Sequence, residues 1–178
     1  MNRKLFASIH LYLATFLTPI FLLISFSGGL YLFGYKGETE KVPVYQGIVS
    51  FKPTSSDLER HVRTFLADRG LTNEFEYLKI SGNTIYTRPM SKDYFVFNFN
   101  GEHLEVVQEK PDWIKTIVEL HKGHGPSWFK TLQKFTAIAL VFIVFSGLMM
   151  ALLSPRMRPT AIKFGLAGVV ATLIAAIS

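Results

Sequence analysis

The residues of this chain with the clearest capacity for chemistry are its histidines. His10 lies near the start of one long apolar run, and His121 and His124 lie shortly before a second. Neutral imidazole is the commonest protein ligand for metals, so each of the three could hold a metal or a metal-containing group. His61 and His103 lie in the polar middle of the chain, where structural roles are the default expectation.

The two apolar runs share a short signature, Phe26-Ser27-Gly28 in the first and Phe145-Ser146-Gly147 in the second. We interpret it as a weak internal repeat. If the runs cross a membrane in opposite directions, the first Ser-Gly pair lies near the outer face, at the depth of His121. The second then lies near the inner face, at the depth of His10, so each histidine is predicted to lie level with a Ser-Gly pair of the other run.

A stripe of small residues shares the face of the first run that carries His10. At about 100° per residue, the stripe falls within about 80° on a helical wheel. Imidazole is the usual axial ligand of b-type haem, and small neighbours let a flat macrocycle approach the helix. The alternative is an interfacial histidine with ordinary helix packing, and spacing alone leaves both open. The stripe comprises His10, Ala14, Thr18, Ser25 and Gly28.

Haem ligation would require two separate sites. His10 and His121 lie near opposite membrane faces, roughly 30 Å apart, and so cannot ligate one iron together. His121 and His124 are too close in sequence, with Gly123 between them, to straddle a haem easily. Each chain therefore offers one axial histidine per depth. Ligation by two histidines predicts a homodimer with one or two haem b groups, because a second copy supplies the second imidazole.

Two lysines at the start of the second run could bind acidic groups. Lys130 and Lys134 are four residues apart, on one helical face, and could pair with haem propionates or hold an anionic ferric complex. The alternative is that they only extend toward the membrane surface, as interfacial lysines commonly do.

The apolar runs predict membrane spans. Leu5 to Phe33 carries no formal charge and exceeds the roughly 20 residues needed to cross a bilayer. It also exceeds the 7–15 apolar residues of a signal peptide, which predicts an uncleaved anchor. A second span is predicted from about Phe135 to Leu153. A third run, Phe164 to Ser178, could cross only as a marginal helix counted from about Thr160, or lie against the other spans.

The charges predict the orientation. All thirteen acids lie between Glu38 and Glu119, and residues 36–122 hold twelve Lys or Arg beside them. The other basic residues flank the apolar runs, a membrane pattern and not a nucleic-acid patch. Basic residues before the first run and after the second predict that both of these ends are cytoplasmic, so the middle block is predicted to be extracytoplasmic. Lys130 and Lys134 are exceptions, because they are basic but lie on the outer side. The flanking residues are Arg3, Lys4, Lys130, Lys134, Arg156, Arg158 and Lys163.

The middle block has the signals of a small α+β domain. A helix is predicted from Ser55 to Asp68, and a second, Trp113 to His121, leads back to the membrane. Alternating apolar and polar residues predict five antiparallel strands. The strands are Val42 to Phe51, Glu74 to Ile80, Thr84 to Pro89, Tyr94 to Phe99 and His103 to Val107.

The predicted fold class is an integral membrane α-helical bundle, with two long spans and a short third, and an inserted extracytoplasmic α+β domain. The predicted segments are a first span over 1–35, the outer domain over 36–125, a second span over 126–154 and a third helix over 160–178. The chain has no cysteine, which excludes disulfides and thiolate metal sites.

Four motifs give the chain a resemblance to PepSY-associated transmembrane proteins, extending over nearly all of residues 1–153. The resemblance implies a PepSY-like periplasmic domain in a bacterial inner membrane protein with a cytoplasmic N-terminus. It also implies a relative of the small ferric reductases that support ferrous iron uptake, with His10 and His121 as haem ligands; larger relatives carry more spans. The motifs are Ile9-His10-Leu11-Tyr12-Leu13, Phe26 to Phe33, Leu120-His121-Lys122-Gly123 and Phe145-Ser146-Gly147-Leu148.

These features together predict a haem b electron conduit from a cytoplasmic-side donor to ferric iron or a ferric chelate outside. The chain has no nicotinamide or flavin motif, so a quinol or a flavin-containing protein must donate the electrons. Two other functions remain open: a PepSY partner-binding or regulatory membrane protein without redox activity, and an accessory subunit of an iron transporter.

Overall fold

The computed structural model describes residues 3–178, with side chains from Lys4 onward. Met1 and Asn2, which the predicted first span of 1–35 includes, lie outside the described residues. Within the described part the elements are, in chain order, α1 Arg3–Leu32, β1 Thr39–Ile48, α2 Leu58–Ala67, β2 Tyr77–Ser81, β3 Thr84–Arg88, β4 Tyr94–Asn100, β5 His103–Pro111, α3 Trp113–His121, α4 Ser127–Leu152 and α5 Arg158–Ile177.

The chain divides into two compact units. One contains the described residues up to Ile20 together with 134–178, and the other contains residues 21–133. The first unit consists of helices and the turn over residues 153–157 that joins α4 to α5. The second contains the whole sheet, α2, α3 and the adjoining ends of α1 and α4.

Three helices are long and apolar enough to cross a membrane: α1 from Lys4, α4 and α5. The sequence predicted two long spans and a short third, whereas α5 has 20 residues, the length of a full span. The helix gains this length because it begins at Arg158, with Pro159 in its first turn, where the missing N–H of proline costs nothing. None of the α5 residues is buried.

The five strands form one antiparallel sheet in the order β1-β5-β4-β3-β2. Hairpins connect β2 to β5 in sequence, with Gly82 and Gly101 at positive φ in two of the turns. β1 pairs with β5 from Thr39↔Pro111 to Ile48↔His103. This pairing makes β5 longer than the predicted His103 to Val107, because backbone hydrogen bonds to β1 continue where the alternation of side chains ends.

The core of the outer domain lies between α2 and one face of the sheet. Val62, Phe65 and Leu66 of α2 pack there against Phe97 and Ile85 of the sheet. Burying an aromatic or aliphatic side chain of this size contributes about 1.5–3 kcal/mol to folding. This core holds the sheet that, on its other side and at its ends, supports α3 and the start of α4.

Candidate functional site

His121 is the last residue of α3. The Asp112 carboxylate caps the start of this helix by accepting the Lys115 N–H at 2.6 Å, and Gly123 at φ +75° follows its end. The imidazole reaches α1, where its Nδ1 lies 2.9 Å from the carbonyl oxygen of Ile24 and 3.2 Å from Ser27 Oγ.

These contacts determine which ring nitrogen of His121 carries the proton. A carbonyl oxygen can only accept a hydrogen bond, so Nδ1 must donate to Ile24. The Ser27 hydroxyl donates to the Leu23 carbonyl at 2.7 Å, and its oxygen can therefore accept from Nδ1 as well. Nε2 is then left with its lone pair, which is the arrangement of a metal-ligating histidine whose other nitrogen is bonded to the backbone.

A cavity of about 440 Å³ lies beside His121. Its walls are mostly apolar, and its polar side chains are Ser27, Tyr31, His121 and Lys122. Apolar walls around a ligating nitrogen exclude water and suit a bulky hydrophobic cofactor. The lining residues are Ser27, Gly28, Tyr31, Leu32, Val118, His121 and Lys122.

Gly28 allows the imidazole to approach α1. A Cβ at this position would lie 3.0 Å from His121 Cε1, closer than carbon atoms normally approach. The sequence suggested that small residues here make room for a flat macrocycle. In the structure, the His121 imidazole, the candidate ligand of such a macrocycle, occupies the space beside Gly28.

The first unit contains a second pair of the same kind. His10 Nδ1 lies 2.7 Å from Ser146 Oγ, and the Ser146 hydroxyl donates to the Ile143 carbonyl at 3.0 Å. When the serine proton is directed to Ile143, the serine oxygen accepts from Nδ1 and Nε2 of His10 keeps its lone pair, whereas a serine that donates to Nδ1 leaves the ring proton on Nε2. A Cβ at Gly147 would lie 3.4 Å from His10 Cε1, which is ordinary contact. The sequence predicted only that each histidine lies level with a Ser-Gly pair of the other run; in the structure each is in contact with that pair.

His124 has a different environment. Its Nδ1 lies 2.5 Å from a carboxylate oxygen of Glu119, its backbone N–H donates to the Glu119 carbonyl at 2.9 Å, and its carbonyl accepts the Met90 N–H at 3.0 Å. The two bonds to Glu119 hold the turn against α3, and the bond from Met90 fastens it to the loop before β4. The structure therefore places His124 in a hydrogen-bond network that supports His121, and away from the walls of the cavity.

Glu119 is the centre of that network and was not predicted as a site residue. Its side chain is only 2% exposed and lies 3.1 Å from the Lys122 ammonium and 3.3 Å from that of Lys115. Burial raises the pKa of Glu119, but hydrogen bonds from His124 and Lys122, with the charges of Lys122 and Lys115, outweigh it and leave the pKa lowered. The sequence pattern that could have indicated this network is the spacing of Glu119, four residues after Lys115 and three residues before Lys122.

Lys130 is directed to the outer domain. Its ammonium donates to the Tyr77 hydroxyl and lies 4.3 Å from the centroid of that ring. Lys134, the other lysine predicted to bind propionates, is exposed. Lys122 lines the cavity at His121, although it was not predicted to bind propionates.

Glu76 fixes the start of α4. Its carboxylate accepts the Ser127 N–H at 2.8 Å and also the Ser127 hydroxyl. The hydrogen bond from the Ser127 hydroxyl is the main cause that lowers the pKa of Glu76. Burial raises this pKa, whereas the Ser127 N–H and the charges of Lys130 and Lys92 lower it further. A carboxylate at a helix N-terminus satisfies free N–H groups and complements the helix dipole.

His10 and His121 are the donors that could bind a metal-containing cofactor. Among residues 3–178, no group of three or more His, Asp or Glu side chains is arranged to hold a bare metal ion. Two histidines instead can each present one free Nε2, one of them beside an apolar cavity with a basic residue in its wall. This arrangement matches the axial ligation of haem iron.

The comparisons with known proteins gave one match. The model of the PepSY_TM-like family matches residues 46–178. This part contains most of the outer domain, His121, α4 and α5, whereas α1 with His10 and Ser27 precedes it. No curated protein and no solved structure matches the chain.

Proposed function

Because this chain belongs to the PepSY_TM-like family, we propose that it is a haem b-containing membrane reductase that passes electrons to ferric iron in support of ferrous iron uptake. The observation that carries the proposal is the bonding of His121. Its Nδ1 donates to the Ile24 carbonyl, which leaves Nε2 free beside an apolar cavity of about 440 Å³. His10, bonded to Ser146 in the same way, is the ligand of the second site.

The residues around each histidine hold it in place. The serine hydroxyls form hydrogen bonds with Nδ1 and orient the ring, and Gly28 and Gly147 let the rings approach the helix backbones. Bound haem supplies one-electron transfer between ferric and ferrous iron. Each electron leaves a quinol or a flavin-containing donor and reduces one ferric ion, free or chelated, to ferrous iron.

The proposed assembly is a homodimer. Each site of one chain contributes a single imidazole, and ligation of haem iron by two histidines needs the matching histidine of a second copy. We place the N-terminus in the cytoplasm and the outer domain in the periplasm of the bacterial inner membrane, because the basic flanks at Lys4 and at Arg156 and Arg158 favour the cytoplasmic side.

An absorption spectrum tests the proposal. The full-length protein, expressed with ample haem and purified in detergent, is expected to show a Soret band and sharp α and β bands after reduction with dithionite. His10→Ala and His121→Ala should each diminish the bands, and the purified wild type should reduce a ferric chelate when given a reduced quinol. His103→Ala is the matched control, because His103 is exposed at the start of β5. A wild-type protein without any haem bands would refute the proposal.

One observation favours a second candidate, a binding module without redox activity or an accessory subunit of an iron transporter. A cavity of about 590 Å³ lies between the end of β1 and α2, with Arg60, His61 and Arg69 in its walls. His61 Nδ1 is buried and has no hydrogen-bond partner in the described part of the chain. A haem-free protein that binds a partner through this cavity would support this candidate, and Arg60→Glu should then weaken the binding.

A further inference from the structure

The cavity beside His121 has a basic rim. Lys122 forms part of its wall, and so does Tyr31. The ammonium groups of Lys36 and Lys122 each lie 5.4 Å from the centroid of the Tyr31 ring. The two ammonium groups are therefore separated by no more than twice 5.4 Å. Two cations therefore meet at one aromatic residue of the cavity.

The carboxylates nearest the two lysines have other hydrogen-bond or ion-pair partners, and Glu38 and Asp112 lie beside Lys36 in a separate cavity. Lys122 is bonded to Glu119, but that carboxylate is shared with Lys115 and His124. Asp112, near Lys36 in space, uses its oxygens to accept the N–H groups of Lys115 and Glu38. Among the residues that the structure describes, no carboxylate lines the cavity. Attraction to the Tyr31 ring compensates part of the repulsion between the two lysines, and an anionic group at the rim would compensate the rest.

The rest of the cavity wall is chiefly apolar, with Gly28, Leu32 and Val118 among its residues. A ligand that complements both parts has an apolar body and acidic groups at one end. We propose that Lys36 and Lys122 bind the carboxylates of the ligand held at His121. Under the proposed function, on which this inference rests, these carboxylates are the propionates of haem. The pair thus takes the role that the sequence suggested for Lys130 and Lys134.

Comparison of haem with its dimethyl ester tests the inference, because the ester keeps the macrocycle and iron but lacks the two negative charges. Each compound is titrated into the full-length, haem-depleted protein in detergent, and binding is followed by the Soret band. The wild type is expected to bind haem about tenfold or more tightly than the ester, the size typical of hydrogen bonds to charged groups. Lys36→Ala with Lys122→Ala should abolish this preference.

The design separates the possible outcomes. Unchanged affinity of the double variant for the ester shows that the variant is folded, and Lys122→Arg should retain the preference. Lys130→Ala is the matched control, since that lysine bonds to Tyr77, and it should behave as the wild type. A wild type that binds haem and ester equally well would overturn this inference and leave the reductase proposal standing. A wild type that binds neither compound would overturn both.

Discussion

The Nδ1 atom of His10 lies 2.7 Å from the hydroxyl oxygen of Ser146, 136 residues later in the chain. His121 makes the corresponding contact with Ser27, and in both cases a glycine follows the serine and lies against the imidazole. The Ser-Gly signature is therefore a structural unit that orients a histidine: the serine hydroxyl forms a hydrogen bond with Nδ1, and the glycine leaves room for the ring.

The two serines should differ in importance. Ser146→Ala removes the hydroxyl that orients His10, whereas Ser27→Ala leaves His121 bonded to the Ile24 carbonyl. Loss of such a supporting bond typically lowers metal affinity 10–100-fold, so we expect about a tenfold or greater loss of haem affinity at the His10 site and a smaller loss at the His121 site. Haem affinity and reduction potential measure the effect, with the exposed Ser25→Ala as the control. A larger loss for Ser27→Ala would contradict the assignment.

Three glycine substitutions form a graded series. Gly28→Ala places a Cβ 3.0 Å from His121 Cε1 and should displace the ring, and under the proposed function this lowers the haem content of the site. Gly147→Ala, at 3.4 Å from His10 Cε1, should have a mild effect, and Gly29→Ala, which meets nothing within 4 Å, should have none. The ratio of haem to protein after purification gives the order. Equal haem contents for Gly28→Ala and Gly29→Ala would show that the imidazole does not occupy the place assigned to it.

Glu119 should stabilise the turn that carries His121. Glu119→Gln keeps the shape of the side chain but leaves Lys115 and Lys122 without their carboxylate. Both lysines are partly exposed, so the expected cost is about 1–3 kcal/mol, below that of a fully buried pair. Thermal unfolding in detergent should show a Tm lower by roughly 5–10 °C.

The control for this substitution is Glu59→Gln, which breaks an exposed pair with Arg63 on α2. Exposed pairs contribute little, so its Tm should remain close to that of the wild type. Similar changes in Tm for the two variants would mean that burial gives Glu119 no special importance.

The cap of α4 by Glu76 should depend on pH. The pKa of Glu76 is lowered from 4.5, so the folded state favours the carboxylate. Its contribution to stability is then fully present above the ordinary pKa and is lost as the pH falls through the lowered one. The difference in Tm between the wild type and Glu76→Gln should thus be constant from neutral pH to about pH 5.5 and should decrease in more acidic buffer.

Glu74→Gln provides the comparison for that measurement, because Glu74 is exposed and lies two residues earlier in the chain. It should leave the Tm unchanged at every pH. A difference between wild type and Glu76→Gln that persists at the acid end would show that the carboxylate charge does not contribute to the cap.

Much of this protein follows from local patterns in the sequence. The lengths of the apolar runs predict helices that can span a membrane, the match to the PepSY_TM-like family confirms the relationship that the motifs suggested, and α3 has the predicted bounds Trp113–His121. Helix and hairpin signals act over a few residues, which is why they can be recognised without any knowledge of the fold.

The details of the site were decided by tertiary packing. Whether Lys122 or Lys130 lines the cavity depends on the direction in which each side chain leaves its helix and on distant partners such as Tyr31 and Tyr77. The bond from the Met90 N–H to the His124 carbonyl likewise joins the loop before β4 to the turn after α3, across more than thirty residues of chain. The sequence by itself determined which residues could ligate a metal. The fold decided which nitrogen stays free and which cations surround it, because those properties arise only from contacts between residues far apart in the chain.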